Sequence, residues 1–470
     1  MKMGENMKKY TKRFKRFVNV IYRDLLLLAI VYITYFCMNL YNIDILPSNI
    51  IVLIYIGFIL LLVLVSLLIF PKNVRLKVKR MTMLVVLIMV LVTYVYNRNM
   101  IKYNKYINNI KDISYINETF NIYSTLDKNY NLYDLSDKKI GIYYNENIIN
   151  YKKLELDLNT YKFSKYKDLN SLYDDLINKK LDFIVINESS YKVLEYNYDN
   201  LELRYVDNII IKYKLNNKEA KNININKKSF NILLLSSNSN ELDKLEGSTL
   251  NCIINFDLKN KYITINNLPS SYFIEFNNKM ETLYHLSNIS LNDYINSIES
   301  KLGITINYYF YTNHNTIKDV INLIGGIDLY NDYSFNVEGN DYNKGYIELK
   351  DNNVNNYLEE VDSFSDRDLT RVKNQQNVIK AIVSSSNINL VNYGKVLSTI
   401  NDKFYTNMSS DTFKSILKYF INNKNNYNIS SYYLSGLVKS EKTYTYPNNN
   451  CYIIYPSELE ITKVFKKESK

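Results

Sequence analysis

Hydrophobic positions fall into three long unbroken runs near the start of the chain and into short runs of four to eight residues after it. Residues 50–70, IIVLIYIGFILLLVLVSLLIF, hold 21 residues without a charge, about 31 Å of helix at about 1.5 Å per residue, which spans a bilayer. Leu25–Leu40 and Met81–Tyr96 are uncharged over 16 residues each, a length that also suits a buried core helix. Flanking charge separates the two readings. Eight Lys/Arg precede the first run (Lys2, Lys8, Lys9, Lys12, Arg13, Lys15, Arg16, Arg23), none lie between the first and second, and five (Lys72, Arg75, Lys77, Lys79, Arg80) lie between the second and third. The positive-inside rule then predicts a basic cytoplasmic tail over 1–24, three transmembrane helices over 25–96 and an extracytoplasmic chain beyond about Asn97. A cleavable signal peptide does not suit the first run, whose flanks lack a small-residue cleavage site and which two further runs follow. Phe14, Phe17 and Val18 among the tail's cations suit an anionic inner leaflet, but a topology signal and nothing more is the preferred reading.

Residues 97–138 are rich in Asn, Tyr and Ile with neither Gly nor Pro, and are predicted to form a helical or irregular stalk. A small α/β module follows over 139–226. KIGIYY from Lys139, LDFIVI (Leu181–Ile186) and RYVDNIIIKYK (Arg204–Lys214) read as strands, and SLYDDLINKK (Ser171–Lys180) as an amphipathic helix. Asn187, Glu188 and Ser189, directly after a strand, read as a helix cap rather than a site.

From 227 to 470 the pattern predicts a mixed sheet flanked by helices. KKSFNILLLSS (Lys227–Ser237) is a central strand, and TLNCIINFD turns through LKNK into YITINNL as a hairpin. LNDYINSIESKLG is a helix stopped by Gly303, ITINYYFYT (Ile304–Thr312) a strand, NTIKDVINLIGG a helix stopped by Gly325 and Gly326, and IDLYN another strand. Ser365–Ser385 is amphipathic through Leu369, Val372, Val378, Ile379 and Ile382, with a polar, positively tipped start. Two amphipathic helices after Ser385 and a Tyr-rich C-terminal stretch are predicted to complete this domain.

Charge removes several function classes. The formal charge is +11, but residues 1–100 hold 14 Lys/Arg against 3 Asp/Glu, leaving 44 of each sign beyond. A neutral extracytoplasmic chain has no net basic surface for a nucleic acid, so none is expected as a partner. Three cysteines (Cys37, Cys252, Cys451) and two histidines (His285, His314) are too few and scattered for a zinc cluster, a redox pair or a disulfide framework, and the histidines read as packing or loop residues. Spans without an intramembrane charge offer no ion path, which disfavours a transporter.

NILLLSS, then Gly247-Ser248-Thr249, Leu268-Pro269, INLIGGIDLY (Ile321–Tyr330) and DLTRVKNQQNVIKAI (Asp368–Ile382) follow one another in an order and spacing that resemble the LytR-CpsA-Psr (LCP) family of cell-envelope proteins, over about Phe230 to Ser385. Three spans, a small α/β accessory domain and then this LCP-like domain resemble the family's CpsA-like branch. The resemblance implies an LCP-type mixed sheet and a phosphotransferase that moves an anionic glycopolymer, teichoic acid or capsular polysaccharide, from a polyprenyl-pyrophosphate carrier to peptidoglycan. It implies an apolar channel for the lipid, arginines on the pyrophosphate, and aspartates with Mg2+. Attack of a sugar hydroxyl on a pyrophosphate needs neutralised phosphoryl oxygens and a proton acceptor, and arginine forks suit the first task.

On this resemblance Asp368 is the candidate catalytic residue, and Arg371, Gln375, Gln376, Ser248, Thr249 and Ser270 are the candidate pyrophosphate contacts; Arg371 gains from a helix N-terminus. No metal ligand is assigned, although Mg2+ held by substrate oxygens plus Asp368 or nearby acids is compatible with that ion's few protein ligands. Elsewhere the family's charged positions are replaced. Gly-x-Asp-x-Arg becomes Ser236-Ser237-Asn238-Ser239-Asn240, Arg-x-Asp-Thr becomes Glu246-Gly247-Ser248-Thr249, and Pro-Arg-Asp becomes Pro269-Ser270-Ser271. Glu359, Glu360 and Asp362 stand where arginines are expected near Tyr357, and Asn374 replaces a second arginine. Three lost arginine contacts to pyrophosphate would cost roughly 4–9 kcal/mol, so the alternative function is a non-catalytic scaffold or regulator that binds polyprenyl phosphate or glycopolymer. Asp368 and Arg371, three apart on a helix, also fit a plain ion pair.

Overall fold

Each apolar N-terminal run is the centre of a longer helix in the computed structural model, which describes residues 2–43, 46, 48–71, 73–112, 115–145, 149–214, 218–242, 247–388, 393–423 and 427–465. The helices are α1 (Lys2–Ile43), α2 (Ser48–Ile69) and α3 (Leu76–Asn108). Among the described residues three helices are long and apolar enough to cross a membrane, over Arg13–Ile43, Ser48–Ile69 and Leu76–Asn108, and the chain is membrane-anchored. Leu26, Ala29, Val65, Ile69 and Val86 bury one another between them. The basic loop residues also satisfy backbone. Lys79 Nζ donates to Ile69 O and Pro71 O at 2.8 and 2.7 Å, and Arg23 Nη2 donates to Phe70 O at 2.6 Å, so two cations close the carbonyl end of α2.

The chain divides into two compact units. The unit built on α1–α3 also takes in the helix Ser410–Asn423, which packs on α3, and most of Tyr393–Ile400. These helices, expected to complete the LCP-like domain, group in space with α1–α3, a long-range choice that amphipathicity alone does not reveal.

The second unit begins with β1 (Tyr115–Thr125), β2 (Ile140–Tyr143), α4 (Ile149–Asp157), β3 (Phe163–Tyr166), α5 (Leu169–Ile177), β4 (Phe183–Asn187), α6 (Glu188–Asn197) and β5 (Leu203–Lys214). Its sheet has the order β3-β2-β4-β1-β5. β2 and β4 are buried along their length, as continuous apolar runs in a parallel core should be. Asp168 caps α5, and Asn187 caps α6 by accepting from Ser190 N at 2.9 Å. The stalk prediction is corrected here: α3 runs on to Asn108, and β1 lies inside the sheet, antiparallel to both β4 and β5. Phe120 and Ile122 are buried with Glu118 and Ser124 in alternation. The period of two was hidden because two of those inward positions are polar, Glu118 accepting from Asn187 Nδ2 at 2.6 Å.

Next come β6 (Phe230–Ser237), β7 (Leu250–Asp257), β8 (Tyr262–Leu268), β9 (Phe273–Phe276), β10 (Lys279–Thr282), α7 (Leu283–Ile289), α8 (Leu291–Leu302), β11 (Tyr308–Asn313), α9 (His314–Leu323), β12 (Ile327–Asn331), β13 (Phe335–Val337), β14 (Asn340–Tyr342), β15 (Gly345–Leu349), α10 (Asn353–Glu359) and α11 (Asp368–Ser384), then β16 (Tyr405–Thr406), β17 (Asn428–Tyr433), β18 (Gly436–Lys442) and β19 (Asn450–Pro456). The main sheet has the order β16-β11-β6-β7-β8-β17, with β6, β7 and β8 antiparallel in turn and β11 and β17 added in parallel. The fold is thus three apolar helices followed by mixed sheets with flanking helices. One sheet face, through Leu233, Leu235, Ile253, Leu268, Tyr309 and Tyr311, packs with Tyr294, Ile295 and Ile298 of α8. Residues 304–307, predicted as the start of a strand, precede β11. Gly325 and Gly326, at φ +91° and +100°, stop α9 as their position suggested.

The hairpin β18–β19 joins the two sheets. Tyr446, Cys451 and Ile453 bury themselves with Ile140, Ile142 and Phe183 of the small module. Tyr143 Oη donates to Thr445 O at 2.6 Å, Asn449 Nδ2 donates to Asp168 Oδ1 at 2.8 Å, and Ile454 N donates to Ser271 O at 2.8 Å. One hairpin thereby fixes α6 of the small module beside the start of α11.

Candidate functional site

The first turn of α11 is reached through Arg367, whose backbone takes the unusual φ +46°, ψ −105°. That bend turns Asp368 and Arg371 inward, where they are 2% and 9% exposed. Arg371 Nη2 and Nε donate to Asp368 Oδ1 at 2.5 and 3.0 Å, and Nη2 also donates to Ser270 Oγ at 2.7 Å. The second carboxylate oxygen, Oδ2, accepts from Ser271 N at 2.7 Å and Ser270 Oγ at 3.2 Å. A buried pair fixed at both ends in this way holds its guanidinium in one place, so the i, i+3 spacing is no loose surface pair.

Arg371 lines a cavity of about 270 Å³. Its cations are Lys192, Arg367 and Arg371, and its carboxylates Glu195, Glu359, Asp362 and Asp368. Lys192 and Glu195 come from α6, so the small module supplies one wall. Burial, and then the nearby Asp362 carboxylate, push Glu195 above the usual carboxylate range. Arg367 Nη1 pairs with Asp362 at 2.7 Å on the exposed rim. Burial likewise raises the Tyr452 hydroxyl and the Cys451 thiol, both on β19, leaving both neutral.

Two histidines lie around this cavity, each bonded to a carboxylate. His285 Nδ1 is 3.0 Å from Glu281 Oε1; Glu281, wholly buried, also accepts from Thr282 N and Thr445 N, both at 2.7 Å. Burial pushes the Glu281 carboxyl up, but attraction to His285 and these hydrogen bonds outweigh it and hold it below its ordinary value. His314, 1% exposed, has Nδ1 2.9 Å from Glu359 Oε1 and Nε2 3.2 Å from Thr249 Oγ1. Thr249 follows Gly247, whose φ of +87° and closeness to the Tyr284 ring, 2.2 Å from where a Cβ would stand, require glycine.

Of the residues singled out from the sequence, Asp368, Arg371, Ser270 and Thr249 line the cavity together. Gln375 is wholly buried and spends its amide on Thr249 O at 3.2 Å and Leu358 O at 2.9 Å, while Ser248 Oγ donates to Leu250 O at 2.9 Å. Gln376 is buried and Asn374 faces the Tyr357 hydroxyl at 3.4 Å. These four shape the walls behind the site. Glu246 lies outside the described residues. Lys192, His314 and Glu359 were missed as site residues. A residue four positions before His285 made Glu281 findable; nothing local linked His314 to Glu359, 45 residues on.

The implied Mg2+ meets a poor donor set. Both oxygens of Asp368 are engaged, and among the described residues no group of three or more His, Cys, Asp or Glu side chains is placed to hold a metal ion. The described residues do not form a site for a resident ion.

A model of the LytR_cpsA_psr family matches residues 205–470. The chain is 27% identical over 208 residues to the polyisoprenyl-teichoic acid–peptidoglycan teichoic acid transferase TagU of Enterococcus faecalis, a stretch covering 42% of this chain and 68% of that one. It is 26% identical over 187 residues to the TagU of Bacillus anthracis, covering 38% of this chain and 61% of that one. Among solved structures, B. subtilis TagV aligns with TM-score 0.43 and 20% identity over 51% of this chain and 96% of that one. TagT bound to LIIa-WTA aligns with TM-score 0.42 and 18% identity over 53% and 92%.

Proposed function

The chain belongs to the LytR_cpsA_psr family, and from that premise we propose that it transfers a polyprenyl-pyrophosphate-linked anionic glycopolymer, teichoic acid or capsular polysaccharide, to peptidoglycan outside the cytoplasmic membrane, with its N-terminus inside. The observation that carries the reading is the buried Arg371 guanidinium, held by Asp368 and Ser270 on the wall of a cavity of about 270 Å³. A fixed guanidinium stabilises charge on phosphoryl oxygens without reorganising as the reaction proceeds. Asp368 serves it as a positioning residue, since both its oxygens are taken. Lys192 and Arg367 add cations at the rim. On the sheet face opposite α8, Leu234, Ile254 and Phe310 are only half-buried, an apolar surface suited to an isoprenoid tail. The relatives' names, teichoic acid transferases, support the substrate class.

The test is release of polyprenyl phosphate from a polyprenyl-pyrophosphate glycan by the full chain in proteoliposomes with peptidoglycan oligomers as acceptor. Arg371→Ala should lower it about a hundredfold or more. No release by the wild type from either a teichoic acid or a capsular precursor would refute transfer. One observation favours a second reading, a non-catalytic carrier-binding scaffold: four carboxylates face three cations in the cavity. That reading gives saturable carrier binding with no release.

A further inference from the structure

Thr249, His314 and Glu359 come from three separate elements, the entry to β7, the start of α9 and the end of α10, and form one continuous chain of hydrogen bonds. A carboxylate only accepts, so Nδ1 of His314 carries the proton it donates to Glu359 Oε1 at 2.9 Å. Nε2 lies 3.2 Å from Thr249 Oγ1, and in the neutral ring with its proton on Nδ1 it is the acceptor for that hydroxyl. The competing acceptor for that hydroxyl, Ser236 O, lies farther away at 3.4 Å and already accepts from Thr249 N at 3.0 Å. Thr249 borders the cavity, and its carbonyl is tied through Gln375 to α11 one turn beyond Arg371. A hydroxyl, a base in reach of it and a carboxylate orienting the base are the parts of an activated nucleophile.

We propose that Thr249 is the nucleophile of the site and carries the glycosyl phosphate covalently between carrier and acceptor, with His314 as its base and Glu359 as the positioning residue. The inference rests on the transfer reading above and deepens it. Thr249 Oγ1 attacks the phosphorus that bears the glycan while its proton passes to His314 Nε2. The bond from that phosphorus to the bridging oxygen breaks, and polyprenyl phosphate leaves with the electron pair and takes up the proton from Nε2. In the second half, the acceptor's sugar hydroxyl attacks the same phosphorus, Nε2 receives its proton, and that proton returns to Oγ1 as the phosphorus–Oγ1 bond breaks. Arg371 faces the phosphoryl oxygens in both halves.

The deciding experiment is the half-reaction. Full chain in proteoliposomes receives polyprenyl-pyrophosphate glycan without acceptor, and released polyprenyl phosphate and the mass of the peptide containing Thr249 are both measured. The expected result is a burst of about one equivalent per chain with one glycosyl phosphate added to Thr249. Thr249→Val, nearly the same in shape, should give neither and lower complete transfer at least about a hundredfold, while Thr249→Ser stays within about tenfold of the wild type. Thermal melting of both variants reports that they fold. A wild type that transfers to acceptor but shows neither burst nor adduct without it overturns the covalent proposal and leaves the transfer reading standing. A wild type that releases nothing with or without acceptor overturns both.

Discussion

The two histidine–carboxylate pairs beside the cavity have nearly the same bond, 3.0 Å for His285 with Glu281 and 2.9 Å for His314 with Glu359, yet they do different work. Glu281 is sealed, its oxygens filled by Thr282 N and Thr445 N, and the pair clasps β10 and α7 to the loop of the C-terminal hairpin. Glu359 has a side chain 35% exposed and stands on the cavity wall, and its histidine passes the chain of bonds on to a hydroxyl at 3.2 Å. A buried imidazole with a carboxylate is therefore no sign of chemistry by itself. What separates the two pairs is the carboxylate, closed off at Glu281 and partly exposed on the cavity wall at Glu359. The same contrast holds within α11, where Arg371 meets the cavity and Gln375, one turn later, only braces the backbone.

The largest effect that tests this contrast is on stability. Glu281→Ala leaves its partners unpaired in a dry site and should cost about 3–5 kcal/mol, read as a large drop in the melting temperature of the detergent-solubilised chain. Glu359→Ala should melt within a few degrees of the wild type. The reverse order of the two would break the comparison. Next comes the activity of the second pair: Glu359→Gln frees the His314 tautomer and should lower transfer about a hundredfold with little change in melting, whereas equal losses in both would make the pair structural.

Acid gives a third reading. Because the Glu281 carboxyl is held below its ordinary value in the folded chain, the unfolded chain binds more protons there. Its contribution is complete above the unfolded carboxylate value near 4.3 and is lost as pH falls through the lower folded value. Melting of the wild type should therefore fall across that acid window, and the gap between wild type and Glu281→Gln should narrow there; a gap that does not depend on pH would contradict the assignment. The smallest effect belongs to the α6 wall. Lys192, a third exposed, should raise KM for the carrier about two- to fivefold when changed to Ala, with kcat unchanged.

Much of the fold is readable in local pattern. The spans, the strands β6, β7 and β8, the helix stop at Gly325–Gly326 and the Asn187 cap all follow from periodicity and backbone preference, which act over a few residues. The order of motifs from Thr249 to Gln376 also brought Thr249, Ser270, Asp368 and Arg371 together on one cavity. β1 escaped that reading because its inward positions include Glu118 and Ser124, which are acceptable only once β4 and β5 supply partners. Gln375, Gln376 and Ser248 matched the motif order, but a spacing along the chain does not tell which side of a helix or turn faces the cavity.

The amino-acid order by itself determined the membrane helices, the succession of two α/β regions and the family, since each depends on neighbours in sequence or on a pattern spread along it. Only the tertiary structure decided that a wall of the cavity comes from α6, that Asp368 is committed to holding Arg371, and that Glu359 meets His314 and through it Thr249. Those juxtapositions are made by the C-terminal hairpin and by side chains 45 and 65 residues apart. Hydrogen bonds over such separations have no local signature, because the chain between them is free to close in many ways until the core fixes one.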